Sequence, residues 1–124
     1  MSMTVYEAAG GAATFERLVA AFYAGVAADP LLRALYPEDL AGAQRRLTLF
    51  LIQYFGGPAT YSEERGHPQL RMRHMPFSIG RPEREAWLRH MSAAIDTLDV
   101  PEAAREQFRA YFDGAATFLM NRAE

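Results

Sequence analysis

Apolar residues recur along this chain at three- and four-residue steps, and nowhere do they alternate as a half-buried strand requires. Phe15, Leu18, Val19, Phe22 and Val26 form one such stripe, and Leu40, Ala43, Leu47, Phe50, Leu51 and Tyr54 form the next. Trp87, Met91, Ala94, Ile95 and Leu98 make a third, and Ala104, Phe108, Tyr111, Phe112, Ala115 and Leu119 a fourth. A chain patterned in this way is predicted to be all-α, with four substantial helices and some short ones sharing a single core.

Glycine and proline set the breaks. Thr4 followed by Glu7 matches a capping box, which predicts a short helix from Val5 to the Gly10-Gly11 pair. The first long helix ends near Asp29-Pro30, and Leu31 to Leu35 suits one turn, closed where Pro37 pushes Tyr36 out of the helical region. Glu38 and Asp39 favour the positive end of the second long helix, which stops at Gly56-Gly57-Pro58. From Ala59 to Gly66 a loop is expected, with one turn from Ser62. Pro68 then begins a short helix ending at His74, before Pro76. Pro82 with Glu83 and Glu85 starts the third long helix, Pro101 restarts the chain, and the last helix is expected to fray near Asn121. Without repeats, low-complexity tracts or linkers, residues 1–124 read as one domain.

The 13 basic residues, all arginine, and 15 acidic ones give a formal charge of −2, which offers no global reason to expect nucleic acid or an anionic membrane as partner. The absence of cysteine excludes disulfides, thiolate metal sites and covalent haem attachment through Cys-x-x-Cys-His. With no basic-then-apolar signal pattern and no long apolar run, a cytoplasmic location is expected.

Three histidines, His67, His74 and His90, are too scattered for a zinc site. His74 shares an apolar helix face with Leu70. A lone histidine in that setting is more often a core residue satisfied by a hydrogen bond than a ligand. Tyr23, Tyr36 and Trp87 each carry a donor that needs a partner when buried, although ordinary core residues look the same. Arg46, Tyr61, Arg71 and Arg73 supply basic or hydroxylic groups near His74 in sequence, or else a solvated face.

Taken as an ordered series, these pieces resemble the group II truncated haemoglobins, short globins with a two-over-two helical sandwich around a haem. The resemblance covers essentially the whole chain. It is carried by Gly10-Gly11, Phe22-Tyr23, Tyr36-Pro37-Glu38, Tyr54-Phe55-Gly56-Gly57-Pro58, Tyr61-Ser62-Glu63, Arg65-Gly66-His67-Pro68, Leu70-Arg71-Met72-Arg73-His74, Pro76-Phe77 and Trp87-Leu88-Arg89. It implies haem b held non-covalently, with His74 as the proximal iron ligand and the opposite axial position free for a diatomic gas. Tyr23 and Tyr36 match distal tyrosines of the family, and Trp87 matches the indole that characterises group II. Arg46, Tyr61 and Arg73 fall where relatives contact the haem propionates, while Ala43 falls where a full-length globin carries its distal histidine. Phe55 departs from the tryptophan frequent in relatives.

On this resemblance, haem completes the core, because Leu47, Phe50, Phe77, Trp87 and Met91 would otherwise line a void. The expected function is binding of dioxygen or another diatomic ligand, with release slowed by Tyr23, Tyr36 and Trp87. Slow release suits redox or gas-detoxifying chemistry, such as nitric oxide oxidation served by a reductase, better than oxygen transport. A haem peroxidase acting on peroxide and a haem-free helical interaction module are the alternatives. Monomer and homodimer are equally compatible with the sequence.

Overall fold

The structure, a computed structural model, describes residues 3–122. Eight helices follow one another: α1 Val5–Ala9, α2 Ala12–Ala27, α3 Pro30–Arg33, α4 Ala41–Tyr54, α5 Thr60–Arg65, α6 Leu70–His74, α7 Arg81–Asp96 and α8 Glu102–Phe118. No strand occurs among the described residues, and none of their helices is long and apolar enough to cross a membrane.

The boundaries follow from local chemistry. Thr4 Oγ1 accepts from the Glu7 backbone N–H at 3.1 Å while Glu7 Oε1 accepts from the Thr4 N–H at 2.9 Å, so the predicted capping box opens α1. Asp29 Oδ1 accepts from Leu31 N–H at 3.1 Å and Pro30 takes the first position of α3, which starts that helix one residue earlier than the apolar pattern indicates. Asp39 Oδ1 accepts from Ala41 N–H at 3.0 Å and opens α4. Gly56, at φ 103°, takes the left-handed turn that ends α4, leaving the Phe55 carbonyl to accept from Tyr6 N–H at 2.8 Å.

Two segments differ from their expected course. The residues after Ala59 form α5 rather than a loop with one turn, because Gln53 reaches across from α4. Its Nε2 donates to Ser62 Oγ at 2.8 Å, its Oε1 accepts from Ser62 N–H at 2.9 Å, and Arg45 grips Glu64 at 2.6 and 2.8 Å. By contrast, α6 starts at Leu70 and not at Pro68, since Gln69 adopts φ 47°, outside the right-handed helical region.

The long helices form two layers: α2 packs on α4, α7 packs on α8, and α2 crosses α7 to join the pairs. The face joining them is the one that the apolar stripes describe, with Phe15, Leu18, Val19, Phe22, Val26, Met91 and Phe108 fully buried. Phe55 packs edge-on to Phe108 at 5.0 Å, and Phe108 edge-on to Phe15 at 5.5 Å, a rigid aromatic floor at one end of the core. Tyr54 leaves the expected stripe. It is 54% exposed and lies against Tyr111 at 4.1 Å, because the helix turns it outward past Phe50 and Leu51.

The α2–α7 crossing depends on Gly25. A Cβ there would stand 2.5 Å from Nδ1 of His90, whose Nε2 meets Asp29 Oδ2 at 2.7 Å. One carboxylate therefore caps α3 and also fixes the histidine on which α2 rests. Gly25→Ala is expected to lower stability by about 1–3 kcal/mol through overpacking of this crossing, as measured by urea unfolding.

Candidate functional site

Enclosed between α4 on one side and α6 and the 75–80 segment on the other is a cavity of about 390 Å³. Edge-on and tilted rings, Phe22 with Tyr23 and Trp87 and Trp87 with Phe112, brace the long helices around it. Its α4 wall is apolar: Ala43, Leu47, Phe50 and Leu51 all face it. The opposite wall carries Leu70, His74 and Phe77.

His74 is the last residue of α6. Its Nδ1 lies 2.6 Å from the carbonyl oxygen of Leu70, one turn back. A carbonyl only accepts, so Nδ1 carries a proton, and in the neutral ring it is Nε2 that keeps its lone pair. Nε2 has no hydrogen-bond partner among the described residues. No cluster of three or more His, Asp or Glu side chains able to hold a bare metal ion exists among those residues either. His74 can thus serve as a single oriented nitrogen ligand, the donor that a macrocycle with its own equatorial nitrogens requires.

Tyr23 from α2, Tyr36 from the corner after α3 and Trp87 from α7 line the same cavity. Tyr23 and Tyr36 meet edge to face at 5.5 Å, and Phe22 lies between Tyr23 and Trp87, 5.0 Å from each ring. Burial pushes the Tyr36 hydroxyl above its ordinary pKa, while the neighbouring Trp87 and Tyr23 side chains partly offset that rise. Tyr23 is pushed further up, first by burial and then by Tyr36, against a smaller opposing pull from the Arg46 guanidinium.

The rim is cationic. Arg46, Arg65 and Arg73 all line the cavity, and among the described residues none of them pairs with a carboxylate. Arg73 is partly committed to the chain itself, since Nε donates to Pro68 O at 2.8 Å and Nη2 to Arg65 O at 3.2 Å. Tyr61, buried against Phe50 at 5.6 Å, also reaches the cavity. Arg71 does not: its guanidinium covers the Phe118 ring at 5.4 Å. Met91 lies fully buried one turn beyond Trp87 and forms core rather than cavity wall, because α7 turns it toward α2 and α8.

Sequence reasoning placed Tyr111 and Phe112 only on the apolar stripe of the last helix and gave Arg65 no part in the site, yet all three line the cavity. Arg65 was visible only as part of the Arg65-Gly66-His67-Pro68 motif. Nothing local distinguishes a cavity-facing arginine at the end of a six-residue helix from a solvated one.

The family model for bacterial-like globins matches residues 4–121. The chain belongs to the bacterial-like globins. Within them it is a group II truncated haemoglobin with the two-over-two sandwich. It is 40% identical over 119 residues, 96% of this chain and 89% of the relative, to the group 2 truncated hemoglobin YjbI of Bacillus subtilis. Among solved structures, the hemoglobin of Chloroflexus aurantiacus superposes with a TM-score of 0.96 at 58% identity, covering 98% of this chain and all of that one. The group II truncated hemoglobin of Bacillus anthracis gives a TM-score of 0.96 at 40% identity, covering 100% of this chain and 95% of that one. Membership of this globin family implies a haem cofactor and haem-based ligand binding. The residues present fit such a group: an imidazole with a free lone pair, apolar walls and unpaired rim cations.

The buried phenols have a pH signature. Tyr23 and Tyr36 are raised above the ordinary phenol range, and Tyr111, mainly through burial, is pushed up to about 12. Above pH ~10 the unfolded chain releases phenolic protons that the folded one retains, so their stabilising contribution is complete below that pH and is lost as pH rises further. An ultraviolet titration of the haem-free protein is expected to show a late-ionising group of tyrosines that shrinks in Tyr23→Phe and Tyr36→Phe. Early ionisation of both with the fold intact would contradict this picture.

Proposed function

We propose that the protein, as a single globin domain over residues 1–124, holds haem b non-covalently through Nε2 of His74 and retains dioxygen or another diatomic ligand in the Tyr23, Tyr36 and Trp87 pocket. The observation that carries the reading is the pairing of an imidazole, oriented by Leu70, with three polar ring groups lining the same largely apolar cavity. Haem, when bound, would supply an iron able to take up a small gas and shift negative charge onto it. The chain supplies the rest. Leu47 and Phe50 exclude water, Arg46, Arg65, Arg73 and Tyr61 face the anionic propionate edge, and Tyr36 donates to the gas.

Tyr36 is the principal donor in this reading, with Tyr23 packed edge to face against it and Trp87 on the same cavity. A hydrogen bond to a partly charged ligand contributes about 2 kcal/mol, which slows escape about thirty-fold. Retention of that kind suits redox or detoxifying chemistry, supported by an external reductase, better than oxygen delivery. Peroxide cleavage is less favoured because the cavity offers no poised base. Among the described residues its only carboxylate, Glu83, accepts from Gly80 N–H at 2.8 Å and from Arg122 at 2.6 Å, and its only histidine is His74.

Addition of haemin is expected to produce a Soret band in the wild-type protein. His74→Ala should lack the iron–histidine vibration of the ferrous form, and a wild-type protein that takes up no haem would sink the reading. Tyr36→Phe should release dioxygen about thirty times faster. Tyr23→Phe added to Tyr36→Phe should then change little, since its partner has gone. Stopped-flow dissociation rates that are equal in all variants would remove Tyr36 from this role.

A further inference from the structure

We infer that Asn121, beyond the end of α8, is a positioning residue for the iron ligand, clasping the segment that carries His74 and Phe77. The inference rests on the reading of His74 as the proximal ligand.

The need for a clasp follows from α6 itself. It has five residues, none of them buried, and a helix that short does not hold itself in water. The bond from His74 Nδ1 to Leu70 O fixes the ring relative to α6, but it cannot fix α6 relative to the cavity. After His74 the chain runs without helix until Arg81, and α6 has no backbone anchor of its own on α7 or α8.

Asn121 provides that anchor. Its Nδ2 donates to Phe77 O at 2.7 Å and lies 3.4 Å from His74 O, while its Oδ1 accepts from Ile79 N–H at 2.8 Å. The Ile79 carbonyl in turn accepts from the backbone N–H groups of Asn121 at 2.8 Å and Arg122 at 3.1 Å. Arg122 extends the clasp to Glu83, the residue that caps α7 through Gly80 N–H. The end of α8 thus holds the 74–80 segment at both ends.

Only a side-chain amide suits this place. One atom must donate to carbonyls while its twin accepts from an N–H, and a carboxylate of identical shape would turn an acceptor toward Phe77 O. Each bond is exposed, so water competes for it. Several bonds converging on one short segment nevertheless restrict its position more than any one of them does. The consequence falls on the histidine: releasing the clasp lets the imidazole tilt and withdraw without loss of its bond to Leu70.

Three variants of the haem-loaded protein test this: Asn121→Asp, Asn121→Ala and, as a control on the same helix, Arg105→Ala. Arg105 binds the carbonyls of Ile95 and Leu98 at 2.7 and 2.9 Å and touches nothing in 74–80. The readouts are the iron–histidine stretching band of the ferrous form, by resonance Raman, and haem transfer to an excess of apomyoglobin. Both Asn121 variants should broaden the band and shift it to lower frequency, with haem transfer faster by about three- to tenfold. Arg105→Ala should lower the melting temperature and leave the band in place. A band unchanged in both Asn121 variants, whatever their melting temperatures, would assign Asn121 to stability alone and overturn the inference. Absence of the band in the wild type would instead overturn the reading of His74, and this inference with it.

Discussion

The bond from His74 Nδ1 to the carbonyl of Leu70, 2.6 Å long, decides what kind of site this fold can hold. It chooses the tautomer and so leaves an unprotonated nitrogen available to a metal. That nitrogen sits at the end of a five-residue helix, so its placement depends on groups elsewhere in the chain: α5 and its Gln53 contacts on one side, and the clasp from Asn121 on the other. The long helices carry the stability, while the short segments between them carry the chemistry.

The cavity survives because its supports are stiff. Phe22, Tyr23, Tyr36 and Trp87 contact one another at 5.0 to 5.5 Å, and Phe112 continues the series from Trp87 at 5.6 Å. Aromatic rings with few rotatable bonds cannot fold inward to fill the space, as leucines in their place would. The same rings supply the polar groups of the site, so packing and ligand chemistry rest on the same side chains. Gly25 matters to both through the α2–α7 crossing, which sets the separation of Tyr23 from Trp87.

Much of this was legible before the structure. Strong periodicity gave the four long helices nearly to their ends, since each stripe is long and glycine or proline stands near most of the breaks. Short elements were harder to read. The helix α5 forms through Gln53, a residue nine positions distant from Ser62, and the start of α6 is set by the positive φ of Gln69; neither leaves a local trace. The ordered motifs pointed to His74, Tyr23, Tyr36 and Trp87, whereas composition alone favoured ordinary core residues at each place. Asn121 was expected to mark a fraying end, because its partners at Phe77 and Ile79 lie more than forty residues away.

What the chain withholds from α4 is as informative as what it supplies elsewhere. The inward positions of that helix, Ala43, Leu47, Phe50 and Leu51, contain no proton acceptor. Tyr23, Tyr36 and Trp87, polar rings that line the cavity, come instead from α2, from the corner after α3 and from α7. Tyrosine and tryptophan at neutral pH can donate a proton's share of a hydrogen bond but do not take up a proton. Burial pushes the Tyr23 and Tyr36 hydroxyls further from ionisation, which strengthens that one-sidedness. A pocket of donors without a base stabilises negative charge on whatever it encloses and does little to cleave it. On that ground the function proposed above is ligand retention rather than acid–base turnover.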